Sequence, residues 1–383
     1  MTTLDDAVRP GSRIVLGDGC GAPAALYGPL SEAAAGKDVR LVLGWVPGST
    51  ADLDPTAFAD VRVLAGGPGL RRVIEEGTVH VVPCRLSAIP AILAGPLRPD
   101  LLVACLVRGP DGLHLGAESS YLRGLVAAGV PVAAVVSNAS PLAETGPAIP
   151  EEQVTVVAET DAPPLEIPNA TPTPADEAIA RHVAGLVPEG ARIQVGPGRL
   201  AQAIVGALEV PVHIDSGLLP EPVVDLEAKG LLIGEPSAAY LCGTTRLYDW
   251  AHGRRILNPI EHTHDLGRLS AAPPLIAVNA ALEIDLTGQV NVEGVGGTAA
   301  GMIGGHPDFA AAAARGPGLS VIAVPSTVKG VPTLVERLSR PVTTPSHDVE
   351  VVVTERGVAD LRGLDRDERR AALLSLWEGR FRA

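Results

Sequence analysis

The residues in this chain whose types and spacing could do chemistry are, first, glycines. Gly17-Asp18-Gly19 and Gly196-Pro197-Gly198 each end an apolar run and open onto a stretch of helical composition. A turn of that kind leaves the backbone bare for a ligand and aims free helix N–H groups at an anion. Around the second one, Gly196, Pro197, Gly198, Arg199 and Leu200 form a candidate binding turn. Neither turn is a dinucleotide fingerprint, because position 201 is Ala and the Gly17, Gly19, Gly21 spacing differs from GxGxxG. Close helix-on-strand packing also needs glycine, so the turns alone leave binding and structural roles both open. His213 and Ser216 make a poor base and nucleophile, since residues three apart on a strand face opposite ways and HIDSG is not a nucleophile elbow. Glu283 and Asp285 share a strand face, as paired catalytic carboxylates would. Cys20, Cys84, Cys105 and Cys242 are too scattered for a metal knuckle or a disulfide framework, so reduced, mostly buried thiols are expected and no metal.

The elements that must position such residues are legible in the pattern. Apolar runs such as 13–17, 39–45, 101–107, 131–137, 191–196, 274–280, 319–325 and 349–355 read as buried strands, and Ala-rich stretches at 22–36, 121–129, 176–188 and 359–379 read as helices. Their alternation predicts an α/β fold with a largely parallel sheet. With 383 residues, 46% of them hydrophobic, the chain is long enough for two domains and too apolar to be disordered. Residues 160–176 carry five prolines and no periodicity, which places the cut near Pro172 and predicts domains of 1–172 and 173–383. A repeat agrees: residues 11–25 and 190–204 align without gaps, matching Gly11/Gly190, Arg13/Arg192, Ile14/Ile193, Gly17/Gly196, Gly19/Gly198 and Ala24/Ala203. Two copies of one α/β unit would face each other across a ligand cleft. A net charge of −14 without a basic stripe argues against nucleic acid and anionic membranes as partners. The acidic opening MTTLDDAVRP and the absence of an apolar run of spanning length predict a cytoplasmic chain without a membrane anchor.

Three stretches are more particular: LCGTTRLYDW (241–250), NAALEIDLTGQVNVEG (279–294) and MIGGHPDFAAAA (302–313). With GDGCGAPAAL near the start, VPCRLSAIP (82–90), IQVGPGRLAQAIVGAL (193–208), VVDLEAKG (223–230) and SHDVEVVVTERGVADLRG (346–363), they resemble the acetyl-CoA hydrolase/transferase family of class I coenzyme A transferases, of the 4-hydroxybutyrate and acetate kind. The resemblance implies two similar open α/β domains and a cleft that takes an acyl-CoA. It also implies a glutamate that attacks the thioester to form an acyl-glutamyl anhydride and then a glutamyl-CoA thioester. Coenzyme A would be part of the substrate, with no covalently bound cofactor. A homodimer or other homo-oligomer, or pairing with a second kind of subunit, is expected.

In the family the glutamate lies in a segment resembling I-H-S-E-M-x-x-D-x-V-V-D-L. Here Ile214-Asp215-Ser216-Gly217-Leu218-Leu219-Pro220-Glu221-Pro222 runs into Val223-Val224-Asp225-Leu226, and the ungapped match puts Gly217 at the glutamate. Pairing His213 with the family histidine would put Asp215 there instead, at the cost of a two-residue insertion. The ungapped register removes the nucleophile and makes room for water or a bulkier acyl group. Asp215, two positions before Gly217, would then be the general base for hydrolysis of a thioester or an adjacent carbon–carbon bond. Glu221, between two prolines, matches a family aspartate near the cleft and reads otherwise as a solvated loop acid. Gly304 and Gly305 match glycines whose amides face the thioester carbonyl. His306 stands where the family has glutamine, as a hydrogen-bonding substitute or a titratable acid or base. A transferase using Asp215, or a non-catalytic acyl-CoA-binding or partner subunit, is the alternative.

Overall fold

In a computed structural model, residues 3–299 and 301–377 are described. They fall into two compact units. One comprises Met1–Ile167 and Ala239–His262, the other Pro168–Ala238 and Thr263–Ala383. The division falls inside the proline-rich connection, five residues before the expected cut. Residues 239–262, expected in the second domain, belong to the first unit: Ser119 N–H donates to the Ala239 carbonyl at 2.9 Å, and Ile260 N–H to Ser120 at 2.9 Å.

The first unit is built on Arg13–Leu16 (β1), Arg40–Leu43 (β2), Asp60–Val63 (β3), His80–Val81 (β4), Leu101–Gly109 (β5), Gly112–Leu115 (β6), Val132–Ser137 (β7) and Val154–Thr160 (β8). They form a sheet ordered β4-β3-β2-β1-β5-β7-β8, with β6 paired to β5. All pairs along that path are parallel and only the β5–β6 hairpin is antiparallel. Continuous burial of Ile14, Val15 and Leu16, and of Leu101 to Ala104, is what a sheet covered on both faces demands.

The second unit carries Arg192–Val195 (β9), His213–Ile214 (β10), Leu275–Ala280 (β11), Leu319–Ala323 (β12), Val351–Thr354 (β13) and Gly357–Asp360 (β14). Their order is β10-β9-β11-β12-β13-β14, parallel except for the last pair. The order β10-β9-β11-β12-β13 repeats β2-β1-β5-β7-β8, so the repeat read from residues 11–25 and 190–204 is also a repeat of topology. Residues 359–365 were expected to open the closing helix. Instead residues 359–360 end the β13–β14 hairpin, whose turn places Gly357 at φ +150°, residues 361–365 are turn and loop, and the helix starts at Arg366. Among the described residues no helix is long and apolar enough to cross a membrane.

The two glycine turns have diverged. Gly19 and Gly198 both adopt positive φ, +80° and +101°. At Gly19 a Cβ would meet Tyr240 at 3.0 Å, whereas nothing lies within 4 Å of one at Gly198. The first turn is plugged by buried acids. Asp18 accepts from Tyr240 Oη at 2.8 Å, and Glu118 from Gly21 N–H at 2.9 Å. Burial pushes the Asp18 carboxyl up to about 6 and Glu118 well above its ordinary value. Because the folded state holds its proton more tightly, stability conferred at low pH declines as pH rises from about 4 to 6. Asp18→Asn should abolish that part of the decline, about 3 kcal/mol for a carboxyl raised to about 6. Denaturant titrations of both proteins across pH 4–8 will measure it.

Candidate active site

The second unit's strand order reverses at β9: the chain passes from β9 to β10 on one side and later to β11 on the other. The crevice at the carboxyl ends of such strands is where open α/β sheets bind ligands. Every expected site residue lies in this unit, beyond β9, β10 or β11.

The segment after β10 is held by charge. Asp215 is buried and receives Arg268 Nη1 and Nη2 at 2.7 and 2.8 Å, one on each oxygen, with Arg192 Nη1 at 3.1 Å. Arg192, at the start of β9, spends its other donors on the carbonyls of Arg268, Leu269, Ala271 and Pro273. One carboxylate and two guanidiniums thereby tie β9 and β10 to the loop before β11. Asp215 does lie two residues before Gly217, but each of its oxygens accepts from an arginine, which gives it an anchoring role in place of the expected one as general base. Ser216 donates its hydroxyl to the Val195 carbonyl at 2.9 Å, which disposes of a Ser216 nucleophile and docks the segment against the end of β9.

Gly217 does not face a water-filled gap. A Cβ there would lie 3.1 Å from His264 Nε2 and 3.4 Å from Phe309, and one on Gly305 would lie 2.5 Å from the same nitrogen. The imidazole of His264 therefore lies across both glycines, against the Phe309 ring at 4.8 Å between centroids. This corrects the expectation of empty space at position 217. Nothing in the sequence reading singled out His264. The one signal was the His262-Thr263-His264 cluster, which has no metal spacing and, among the described residues, joins no metal-binding group. Burial first and the Arg268 charge next lower the His264 pKa to about 3, with Asp215 acting in the opposite sense.

Gly304 takes a left-handed φ of +58°, and Gly305 is the N-cap of the helix His306–Arg315. The amides there lie at the positive end of a ten-residue helix, suited to an oxygen that gains negative charge. His306 is placed by both ring nitrogens. Nε2 is 3.1 Å from the Ala280 carbonyl, which can only accept, so it carries the hydrogen, and Nδ1 accepts from Thr344 Oγ1 at 2.6 Å. Burial holds its pKa down at about 4. His306 thus fastens the helix start to the end of β11 and is not poised to titrate near neutrality.

The turn Gly196, Pro197, Gly198, Arg199 and Leu200 follows β9 directly and leads into the helix Arg199–Gly206. No atom of the described residues comes within 4 Å of a Cβ at Gly196 or Gly198. Arg199 leans the other way, with Nε 2.5 Å from Asp176 on the neighbouring helix. Glu221 is 7% exposed, a buried acid where a solvated one was expected, with Asn169 Nδ2 at 3.4 Å. Glu283 and Asp285 are structural. Glu283 binds Asn291 and Ser339, and Asp285 caps the turn through Thr287 and Gln289.

Residues 243–383 match the family model of the acetyl-CoA hydrolase/transferase C-terminal domain. The chain is similar to the 4-hydroxybutyrate coenzyme A transferase of Clostridium kluyveri, 26% identical over 337 residues that cover 82% of this chain and 77% of that protein. It is also similar to the acetyl-CoA hydrolase of Neurospora crassa, 27% identical over 257 residues covering 60% of this chain and 47% of that one. Among solved structures, RipA from Yersinia pestis superposes with a TM-score of 0.87 at 24% identity, covering 99% of this chain and 94% of that one.

Two sets of substitutions test this geometry. Gly305→Ala should lose about 1–3 kcal/mol by overpacking, more than Gly217→Ala, and His264→Ala should relieve most of that loss in the double variant. Asp215→Asn should destabilise the protein by about 3–5 kcal/mol, because two guanidiniums lose a buried counter-charge. Denaturation midpoints of the variants decide both; an Asp215→Asn protein of wild-type stability would refute the anchoring role.

Proposed function

We propose that this chain, whose residues 243–383 match the acetyl-CoA hydrolase/transferase C-terminal domain, acts on an acyl-CoA thioester by hydrolysis, without the covalent glutamyl step. The observation that carries the reading is the neighbourhood of Gly217: a residue with no side chain, overlaid by the His264 imidazole. No anhydride can form at a glycine. Transfer through Asp215 is disfavoured as well, because its oxygens are clamped by Arg192 and Arg268.

In the proposed reaction the acyl carbonyl oxygen rests on the amides of Gly304 and Gly305. The negatively charged portion of coenzyme A meets the backbone of residues 196–200. Water bonds to the acyl carbon, the carbon–sulfur bond breaks, and the thiolate leaves and is protonated, giving a carboxylic acid and free CoA. Amide donors of this kind are worth about 2.7–4 kcal/mol each in transition-state stabilisation. We assign the proton of the attacking water to Glu221, a buried acid on the segment that follows β10 and Gly217.

With a panel of acyl-CoA thioesters and no added acid, CoA release should equal carboxylic acid formed and should not rise on adding acetate. Borohydride treatment of the enzyme with acyl-CoA should leave its mass unchanged. Acetate-dependent exchange, or a CoA adduct on Asp215, would establish transfer instead. Cleavage yielding a shortened acyl-CoA would point to the carbon–carbon bond. Glu221→Gln should lower kcat by roughly 10²–10⁴-fold with little change in KM.

A further inference from the structure

His264 is 1% exposed, and its Nε2 has no hydrogen-bond partner among the described residues. Its other nitrogen is 2.9 Å from Thr263 Oγ1. Two further buried polar atoms without partners, Gln194 Oε1 and Asn279 Nδ2, stand on the same strand pair, β9 and β11. Gln194 pairs with Ala277, two residues before Asn279, so both side chains project from one sheet face. That face is the one on which Ala277 packs with Phe309, Ala312 and Ala313 of the helix that begins at His306. An unmade hydrogen bond in a buried site costs about 1–3 kcal/mol, and such atoms usually have a functional reason. Gln194 and Asn279 share the sheet face that this helix covers, and His264 Nε2 lies against Gly217 and Gly305, which present no side chain to it.

We propose that His264 is a catalytic hydrogen-bond donor: its Nε2–H reaches past Gly217 and Gly305 to the thioester carbonyl oxygen and shares with the Gly304–Gly305 amides the charge that develops when water attacks. The proposal rests on the hydrolytic reading and adds to it the group that stabilises the oxyanion. A Thr263 hydroxyl donating to Nδ1 leaves the hydrogen on Nε2, the nitrogen nearest the glycines. The groups facing the ring are Thr263 and Arg268 from its own loop, Asp215 from the segment after β10, and Phe309 from the helix. Arg268 and burial both disfavour a second proton. The ring stays a neutral imidazole throughout the working pH range, and a neutral imidazole polarises a carbonyl without changing charge. Gly217 follows from the same geometry, since any side chain there would compete with the ring for its place.

Histidine-selective ¹⁵N labelling of the intact protein tests this directly, with the His264 resonance identified by its absence in His264→Gln. Nε2 should carry the hydrogen, and the ring should not titrate between pH 5 and 8. Adding an acetyl-CoA analogue in which methylene replaces sulfur should shift the Nε2–H proton downfield. His264→Ala should lower kcat by about 10²–10³-fold with KM nearly unchanged, and His264→Gln, which restores an N–H, should recover part of it. A hydrogen on Nδ1, titration near pH 6.5, or an unshifted resonance when calorimetry shows the analogue bound would overturn the proposal. Unchanged turnover in His264→Ala would do the same. If no thioester is hydrolysed, the hydrolytic reading fails by itself, while the tautomer and titration still decide the state of His264.

Discussion

The second unit depends on one buried carboxylate. Asp215 is shared by Arg192 and Arg268, and Arg192 also gathers the carbonyls of the loop that precedes β11. Ion pairs taken out of water add little net stability relative to apolar packing, yet they are costly to break and demanding in geometry. Here that geometry does positional work. It sets the register of Ser216 and Gly217 beside β9, and it fixes the loop from which His264 enters the space over Gly217 and Gly305.

The consequence is a candidate site in which glycine amides meet two imidazoles of lowered pKa. Gly304, Gly305, His264 and His306 lie at or beside the start of one helix, and both imidazoles are held uncharged by burial. The charges nearby, on Asp215, Arg192 and Arg268, neutralise one another in part and face the scaffold. Such an arrangement stabilises an oxygen that becomes negative and supplies no nucleophile of its own. On the proposed reading, this arrangement serves attack by water on a thioester rather than transfer through an acyl-enzyme.

The duplicated topology makes the same point by contrast. Both units place a glycine of positive φ just beyond their first strand. In the first unit, Tyr240, Asp18 and Glu118 fill the space beyond it, while in the second no atom of the described residues lies within 4 Å of a Cβ at Gly198. A fold can carry one ligand turn and one structural turn with the same backbone, because function is set by the side chains around it.

Much of this was legible in the sequence. Continuous apolar runs between Ala-rich stretches fix a parallel α/β sheet, and the Gly-x-Gly repeat fixes where each unit's first strand ends, since only glycine tolerates that backbone. The segments around 241–250, 279–294 and 302–313 carried the family, and the ungapped stretch from Ile214 to Leu226 drew attention to Gly217. The tertiary structure alone decided what surrounds that glycine. Asp215 and Gly217 stand close in sequence, but the arginines that occupy the one and the histidine that overlays the other come from residues 23 to 53 positions away. Local spacing says which way a side chain points. Which charge or ring meets it is set by packing between distant segments, and a single sequence carries no periodic trace of that.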